Sequence, residues 1–154
     1  MVPLLDGPGT PYDVIAIQEP WLSPYVETTY CPQSCPYHLV FPQDGRARTC
    51  LYINKRIPLA TWHSYEEPDY CRVKIDTQQG PITIHNIYSE IPESLRTVAW
   101  NTPINSMLQA VQAPGQHLVV GDFNLHHPLW GGQSVTQIHA AANTLIARML
   151  AQRL

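Results

Sequence analysis

The stretch His117-Leu-Val-Val-Gly121-Asp122-Phe123-Asn124 decides how this chain is read. A short apolar run ends on a glycine and then a carboxylate, the pattern of a strand buried on both faces that delivers Asp122 where it leaves the core. Asp122 and Asn124 are two residues apart, so in extended chain they share a side while Phe123 turns back inward. Gly121 allows close approach to the backbone.

The same design occurs upstream. Asp13-Val-Ile-Ala-Ile-Gln-Glu19 is an apolar run stopped by Pro20, with Glu19 at its exit. A carboxylate leaving water needs a partner or a metal, so Glu19 and Asp122 are expected together at one end of the fold. Between them, Tyr37 to Phe41 and Thr49 to Asn54 read as a hairpin with Gly45 in its turn. Asp69 to Asp76 and Pro81 to Tyr88 read as a second pair around Gln78-Gln79-Gly80, with Ile82, Ile84, Asn86 and Tyr88 on one face. Thr102-Pro103 starts a helix whose stripe is Ile104, Met107, Leu108 and Val111, ended by Pro114-Gly115. Ser134-Val-Thr-Gln137 fits a capping box for a last helix through Val135, Ile138, Ala142, Leu145, Ile146 and Met149. The expected fold is α/β: a layered sandwich of two mixed sheets flanked by helices, in a single domain over residues 1–154.

Bulk properties narrow the function classes. At 154 residues and 44% hydrophobic composition there is material for one packed core. No apolar run approaches the roughly 20 residues that cross a bilayer, and no basic flank precedes an apolar stretch at the start. The chain reads as intracellular, nuclear or cytoplasmic, not secreted and without a membrane partner. Its four cysteines are read as reduced thiols, and Cys31-x-x-x-Cys35 lacks the second ligand pair that zinc needs. A net charge of −3 excludes gripping nucleic acid by bulk electrostatics, so any such contact is local. Arg46, Arg48, Lys55 and Arg56 form one candidate patch, equally readable as a solvated face. Trp62, Trp100 and Trp130 read as core or core-edge packing, whereas Trp21, beside Glu19, is expected to face a groove.

Carboxylates with neighbouring Asn and Tyr suit phosphate chemistry, because Mg²⁺ prefers oxygen ligands and keeps several waters. Each element alone is weak, since Asp-x-Asn after a strand is commonly a turn former. Together, Gln18-Glu19-Pro20, Asn86-Ile87-Tyr88 and Gly121-Asp122-Phe123-Asn124, in that order and spacing, resemble the endonuclease/exonuclease/phosphatase superfamily. The continuation His126-His127-Pro128-Leu129-Trp130-Gly131 resembles the endonuclease domains of non-LTR retrotransposons, particularly fungal ones. The likeness runs from about Asp13 to Leu150.

This resemblance implies Mg²⁺-dependent phosphodiester hydrolysis, with Mn²⁺ as a substitute, and nicking of DNA for retrotransposition. Glu19 would hold the metal, Tyr88 would contact the scissile phosphate, and Asp122 with Asn124 would orient the attacking water and the phosphate. Asn86, Trp21, His126 and His127 would bind substrate. A reverse transcriptase domain would accompany the endonuclease in a longer polyprotein. The family also carries an Asn-bearing first strand ahead of its Gln-Glu motif, a late Asp and a terminal Ser-Asp-His block, none of which occurs here. The domain is therefore expected to be truncated at both ends and the chain inactive or nearly so. Two alternatives stand beside this: a superfamily phosphatase or phosphodiesterase acting on a small phosphorylated substrate, and a non-catalytic remnant of a retrotransposon open reading frame.

Overall fold

The computed structural model describes residues 11–26, 28–43, 46–90, 102–132, 134–136 and 138–151. Among these residues seven strands make two sheets. The three-stranded sheet has β1 (Val14–Gln18) and β2 (Tyr37–Val40) on either side of β3 (Thr49–Asn54), both antiparallel to it. The four-stranded sheet runs β4 (Trp62–Glu67), β5 (Tyr70–Thr77), β6 (Gly80–Tyr88), β7 (Gln116–Asp122). Only this second sheet is mixed, because β7 pairs parallel to β6 and the rest are antiparallel. A parallel neighbour needs a crossover, and helix α1 (Thr102–Ala110) lies on that connection. Two further helices follow β7: α2 (Pro128–Gly131) and α3 (Ala140–Ala151).

Period-two alternation divides each strand between two cores. Cys71, Val73, Ile75 and Ile84 from the four-stranded sheet meet Val14, Ala16, Val40, Leu51 and Ile53 from the other, filling the layer between the sheets. On the opposite face of the four-stranded sheet, Tyr70, Ile87 and Val119 pack against Ile104, Met107, Leu108 and Val111 of the α1 region and Ala141, Ala142 and Leu145 of α3. The stripe expected for the first helix is thus its buried side. The outer face of the three-stranded sheet is covered differently, by Tyr30, Cys35 and Phe41 from flanking segments over Ile15, Ile17, Cys50 and Tyr52. All four cysteines are free thiols. No helix among the described residues is long and apolar enough to cross a membrane.

Three expectations require correction. Trp62–Glu67 was not expected as a strand: its sequence Trp-His-Ser-Tyr-Glu-Glu lacks apolar alternation, and it forms only as an edge pairing β5 through six residue pairs. The last helix starts at Ala140, not at the proposed capping box. Ser134 Oγ instead donates to Gly131 O, while the helix begins where His139 is tied to His126, its N–H donating to His126 O at 3.1 Å. The basic patch is also divided. Arg46 and Arg48 precede β3, Lys55 and Arg56 follow it, and six extended residues of about 3.3 Å each separate them. Gly45 and Gln137 lie outside the described residues.

A polar chain runs through the helix side. Tyr70 Oη meets His85 Nδ1 at 2.7 Å, His85 Nε2 meets His117 Nδ1 at 3.0 Å, and His117 Nε2 meets Ala113 O at 2.9 Å. Because a carbonyl only accepts, His117 carries its proton on Nε2, His85 donates from Nε2, and His85 Nδ1 accepts from Tyr70. Burial, aided by His117, pushes the His85 imidazole down to about 3. The unfolded chain takes up this proton near pH ~6.5, so stability is present above that value and falls as pH drops toward the folded value. Urea midpoints measured from pH 7 to 4 should decline in the wild type and decline less steeply in His85→Gln; equal slopes would remove His85 from the acid response.

Candidate active site

β1, β6 and β7 finish at one end of the sandwich. Asn86 Nδ2 donates to Ile17 O and to Cys50 O, both at 2.9 Å, and its Oδ1 accepts from Gln18 Nε2, so β1 and β6 run in step across the inter-sheet layer. One residue further along β1 and two along β6, the Tyr88 hydroxyl comes within reach of the Glu19 carboxylate. Parallel pairing sets Asp122 opposite Tyr88, and Ser89 N donates to Asp122 O at 2.7 Å. Tyr88 therefore stands between Glu19 on one side and Asp122 on the other. A second open cavity, of about 840 Å³, is lined by Val14, Ile57, Ile75, Ile82 and Ile84, with Asp13 paired to Arg56 in its wall.

Two backbone features mark the site end. Glu19 and Asn124 are the non-glycine residues with positive φ among those described, at 48° and 49°. Asn tolerates that region through its short polar side chain, but Glu gains nothing from it, so the fold holds Glu19 there against a local preference. The Glu19 N–H donates to Arg48 O at 2.8 Å, which fixes the turn. Asp122 Oδ1 accepts from Asn124 N at 2.9 Å, an Asx turn that aims both side chains outward. Glu19, Asp122 and Asn124 are exposed, and Tyr88 is half-buried.

The hydrogen bond to Glu19 raises the Tyr88 phenol above its ordinary range, while the Arg48 charge acts in the opposite direction. Arg48 Cζ lies 4.6 Å from the centre of the Tyr88 ring. Beside Glu19 is an open cavity of about 480 Å³ with Arg46, Arg48, Asp69 and Glu90 in its wall. Arg48 is not a bare cation there: it pairs with Asp69 and Glu90. These three residues were not singled out for the site by the sequence, where Arg48 counted only as one member of a basic patch.

The other candidates fall elsewhere. Asn86 is fully buried beneath the site, with both amide hydrogens and its oxygen engaged by protein. Trp21 is 61% exposed beyond Pro20. His127 Nδ1 accepts from Leu129 N at 3.1 Å and caps α2, while its Nε2 meets Asn143 Oδ1 of α3 at 3.2 Å. The His126 ring stacks on His139 at 4.7 Å between centroids, and the His126 N–H donates to His139 Nδ1. Both histidines thus tie the segment after Asn124 to α3. Among the described residues no group of three His, Cys, Asp or Glu could hold a metal by itself. What the site offers is oxygen ligands spread over three strand ends.

Gly121 makes the juxtaposition geometrically attainable. Its φ is 140°, and a Cβ there would meet Ile87 O at 2.0 Å and Ile87 N at 2.7 Å. Gly121→Ala should cost at least on the order of 1–3 kcal/mol in urea unfolding, from backbone strain alone. It should also displace Asp122 from Tyr88, read as shifted amide resonances of both residues. Unchanged stability and spectra would show that β6 and β7 do not need this close approach.

Residues 4–144 match the model of the Endonuclease/Exonuclease/phosphatase family. A solved structure, the endonuclease domain of TRAS1, a telomere-specific non-LTR retrotransposon, superposes with a TM-score of 0.55 at 16% sequence identity. The alignment covers 91% of this chain and 59% of that domain, a likeness of fold. No curated protein matches the sequence. With the family match extending over most of its length and the strand-end carboxylates where the fold brings them, the chain belongs to the Endonuclease/Exonuclease/phosphatase family.

Proposed function

We propose that this chain carries the metal-holding and water-orienting part of a Mg²⁺-dependent DNA endonuclease. The observation that carries the reading is the placement of Tyr88 between Glu19 and Asp122 at one end of the sandwich. The donor set fits Mg²⁺ or Mn²⁺: it is all oxygen, it includes an exposed carboxylate held in a strained backbone, and it forms no closed cage. Mg²⁺ is commonly bound through one or two carboxylates with substrate phosphate and water completing the shell. Glu19 would hold the ion, which when bound neutralises charge on the phosphate and lowers the pKa of water.

The chain's own groups divide the remaining work. Asp122, with one carboxylate oxygen in its Asx turn, retains acceptor capacity to orient the attacking water. The Asn124 amide is a neutral donor for a phosphate oxygen, and Tyr88 presents its hydroxyl to the same place. Asn86 supports these groups from below. Trp21, His126 and His127 would reach substrate only at the margins of this arrangement. DNA is the partner suggested by the retrotransposon likeness, with a reverse transcriptase as the enzyme served by the nick. Contact with the duplex should be weak and salt-sensitive, since Arg48 is already paired and the chain is acidic overall.

His126, His127 and His139 are joined to one another or to α3, which speaks against their standing in for the family's terminal histidine. Groups that act as a unit lose most of their rate together, and the 154-residue chain should nick only weakly if at all. Supercoiled plasmid with Mg²⁺ at high protein concentration tests this. Weak nicking should fall by roughly 100-fold or more in Glu19→Ala and in Asp122→Ala, the scale for removing one group that acts on developing charge. Nicking that persists in EDTA or in both variants would refute the reading. Complete inactivity with no binding of Mg²⁺ would favour the non-catalytic remnant.

A further inference from the structure

Glu19 and Tyr88 come from different sheets, and one hydrogen bond between two side chains at a solvent-facing edge is weak by itself. The structure supplies a second connection that closes on itself. The Glu19 N–H donates to Arg48 O at 2.8 Å, and the Tyr88 N–H donates to Asp69 O at 2.9 Å. The Arg48 guanidinium then grips the Asp69 carboxylate with two parallel bonds, Nε to Oδ1 at 2.7 Å and Nη2 to Oδ2 at 2.6 Å. Four residues from four segments thus form one ring: Glu19 to Tyr88 by side chains, Tyr88 to Asp69 by main chain, Asp69 to Arg48 by side chains, Arg48 to Glu19 by main chain.

The ring is tightened from both sides. Arg48 N donates to Pro68 O at 2.7 Å, holding the segment before β3 against the β4–β5 turn. Its guanidinium also lies over the Tyr88 ring, and its other arm reaches Glu90 beyond the end of β6. A planar fork with five donors meets the carboxylate in parallel and covers the aromatic face at once; an ammonium group does not. Arg48 and Asp69 are only partly exposed, 33% and 24% by side chain, so their pairing is less screened than a free surface bridge.

We infer that Arg48, locked by Asp69, is a positioning residue that sets where Glu19 and Tyr88 stand relative to each other. Its meaning for catalysis rests on the proposed function, but its physical content does not, so the test is made without metal. Amide and tyrosine-ring NMR spectra of the 154-residue chain are compared for wild type, Arg48→Gln, Arg48→Lys and Asp69→Asn, with thermal melts as the folding control. Arg48→Gln and Asp69→Asn should both shift the Glu19 amide and the Tyr88 ring signals, while those of Val40 and Ser64 stay in place. Arg48→Lys, the mildest change, should keep the fold and still leave the Tyr88 ring signal displaced. Glu19 and Tyr88 signals that stay at wild-type positions in Arg48→Gln, or full recovery in Arg48→Lys, would overturn the inference. Where nicking is measurable, Arg48→Lys should lower kcat with KM little changed. Should the wild-type chain show neither nicking nor Mg²⁺ binding, the metal-free spectra still decide the positioning role, and only the functional reading falls.

Discussion

The side chain of Asn86 is the constraint on which the rest of this site depends. It sits on β6, fully buried, and reaches across the inter-sheet layer to carbonyls of β1 and β3 while accepting from Gln18. Two sheets packed through Val, Ile, Leu and Ala have little to prevent a slide along the strands, because apolar contact is non-directional. Three hydrogen bonds within this layer supply direction. Removing the amide would leave two buried carbonyls without these donors, at roughly 1–3 kcal/mol each. With β1 and β6 held in step, Glu19 and Tyr88 have to emerge together.

From that anchor the site follows by parallel pairing. β7 lies beside β6 with Asp122 opposite Tyr88, and the close approach at Gly121 leaves no room for a side chain between them. Beyond the strands, Glu19 and Asn124 take left-handed backbone conformations at opposite margins of the same end. Strain of this sort is held by surrounding structure, and here the holders can be named: Arg48 O for Glu19 and the Asx turn for Asn124. A rigid sandwich therefore presents polar groups on short irregular exits, a common division of labour between scaffold and function.

Much of this was legible in the sequence because it depends on local pattern. The apolar runs ending at Glu19 and Asp122, the alternation from Ile82 to Tyr88 and the Ile104–Val111 stripe each belong to one element and reappear as that element. β1 and β7, however, lie at sheet edges and are not buried on both faces as expected, with Leu118 53% exposed. The edge strand Trp62–Glu67 was not legible, because its two polar faces carry no period and its neighbour β5 imposes the structure. The start of α3 was misplaced for a related reason: a capping-box sequence lost to the pairing of His139 with His126, thirteen residues away. Arg48 and Asp69, twenty-one residues apart, gave no sequence signal as a pair, since their meeting depends on how the start of β3 lies against the β4–β5 turn. Asn86 was expected to bind substrate, and its burial, and so its work as a strut, could be read only once the sheets were stacked.

The central claim is that Glu19, Tyr88, Asp122 and Asn124 surround one cation-binding place. Paramagnetic broadening of backbone amides by substoichiometric Mn²⁺, reversed by excess Mg²⁺, tests it most directly and requires no catalysis. The account predicts that the signals of Glu19, Tyr88, Asp122 and Asn124 broaden first and together. Broadening centred instead on Glu66, Glu67 or Asp76, or none that Mg²⁺ reverses, would contradict it.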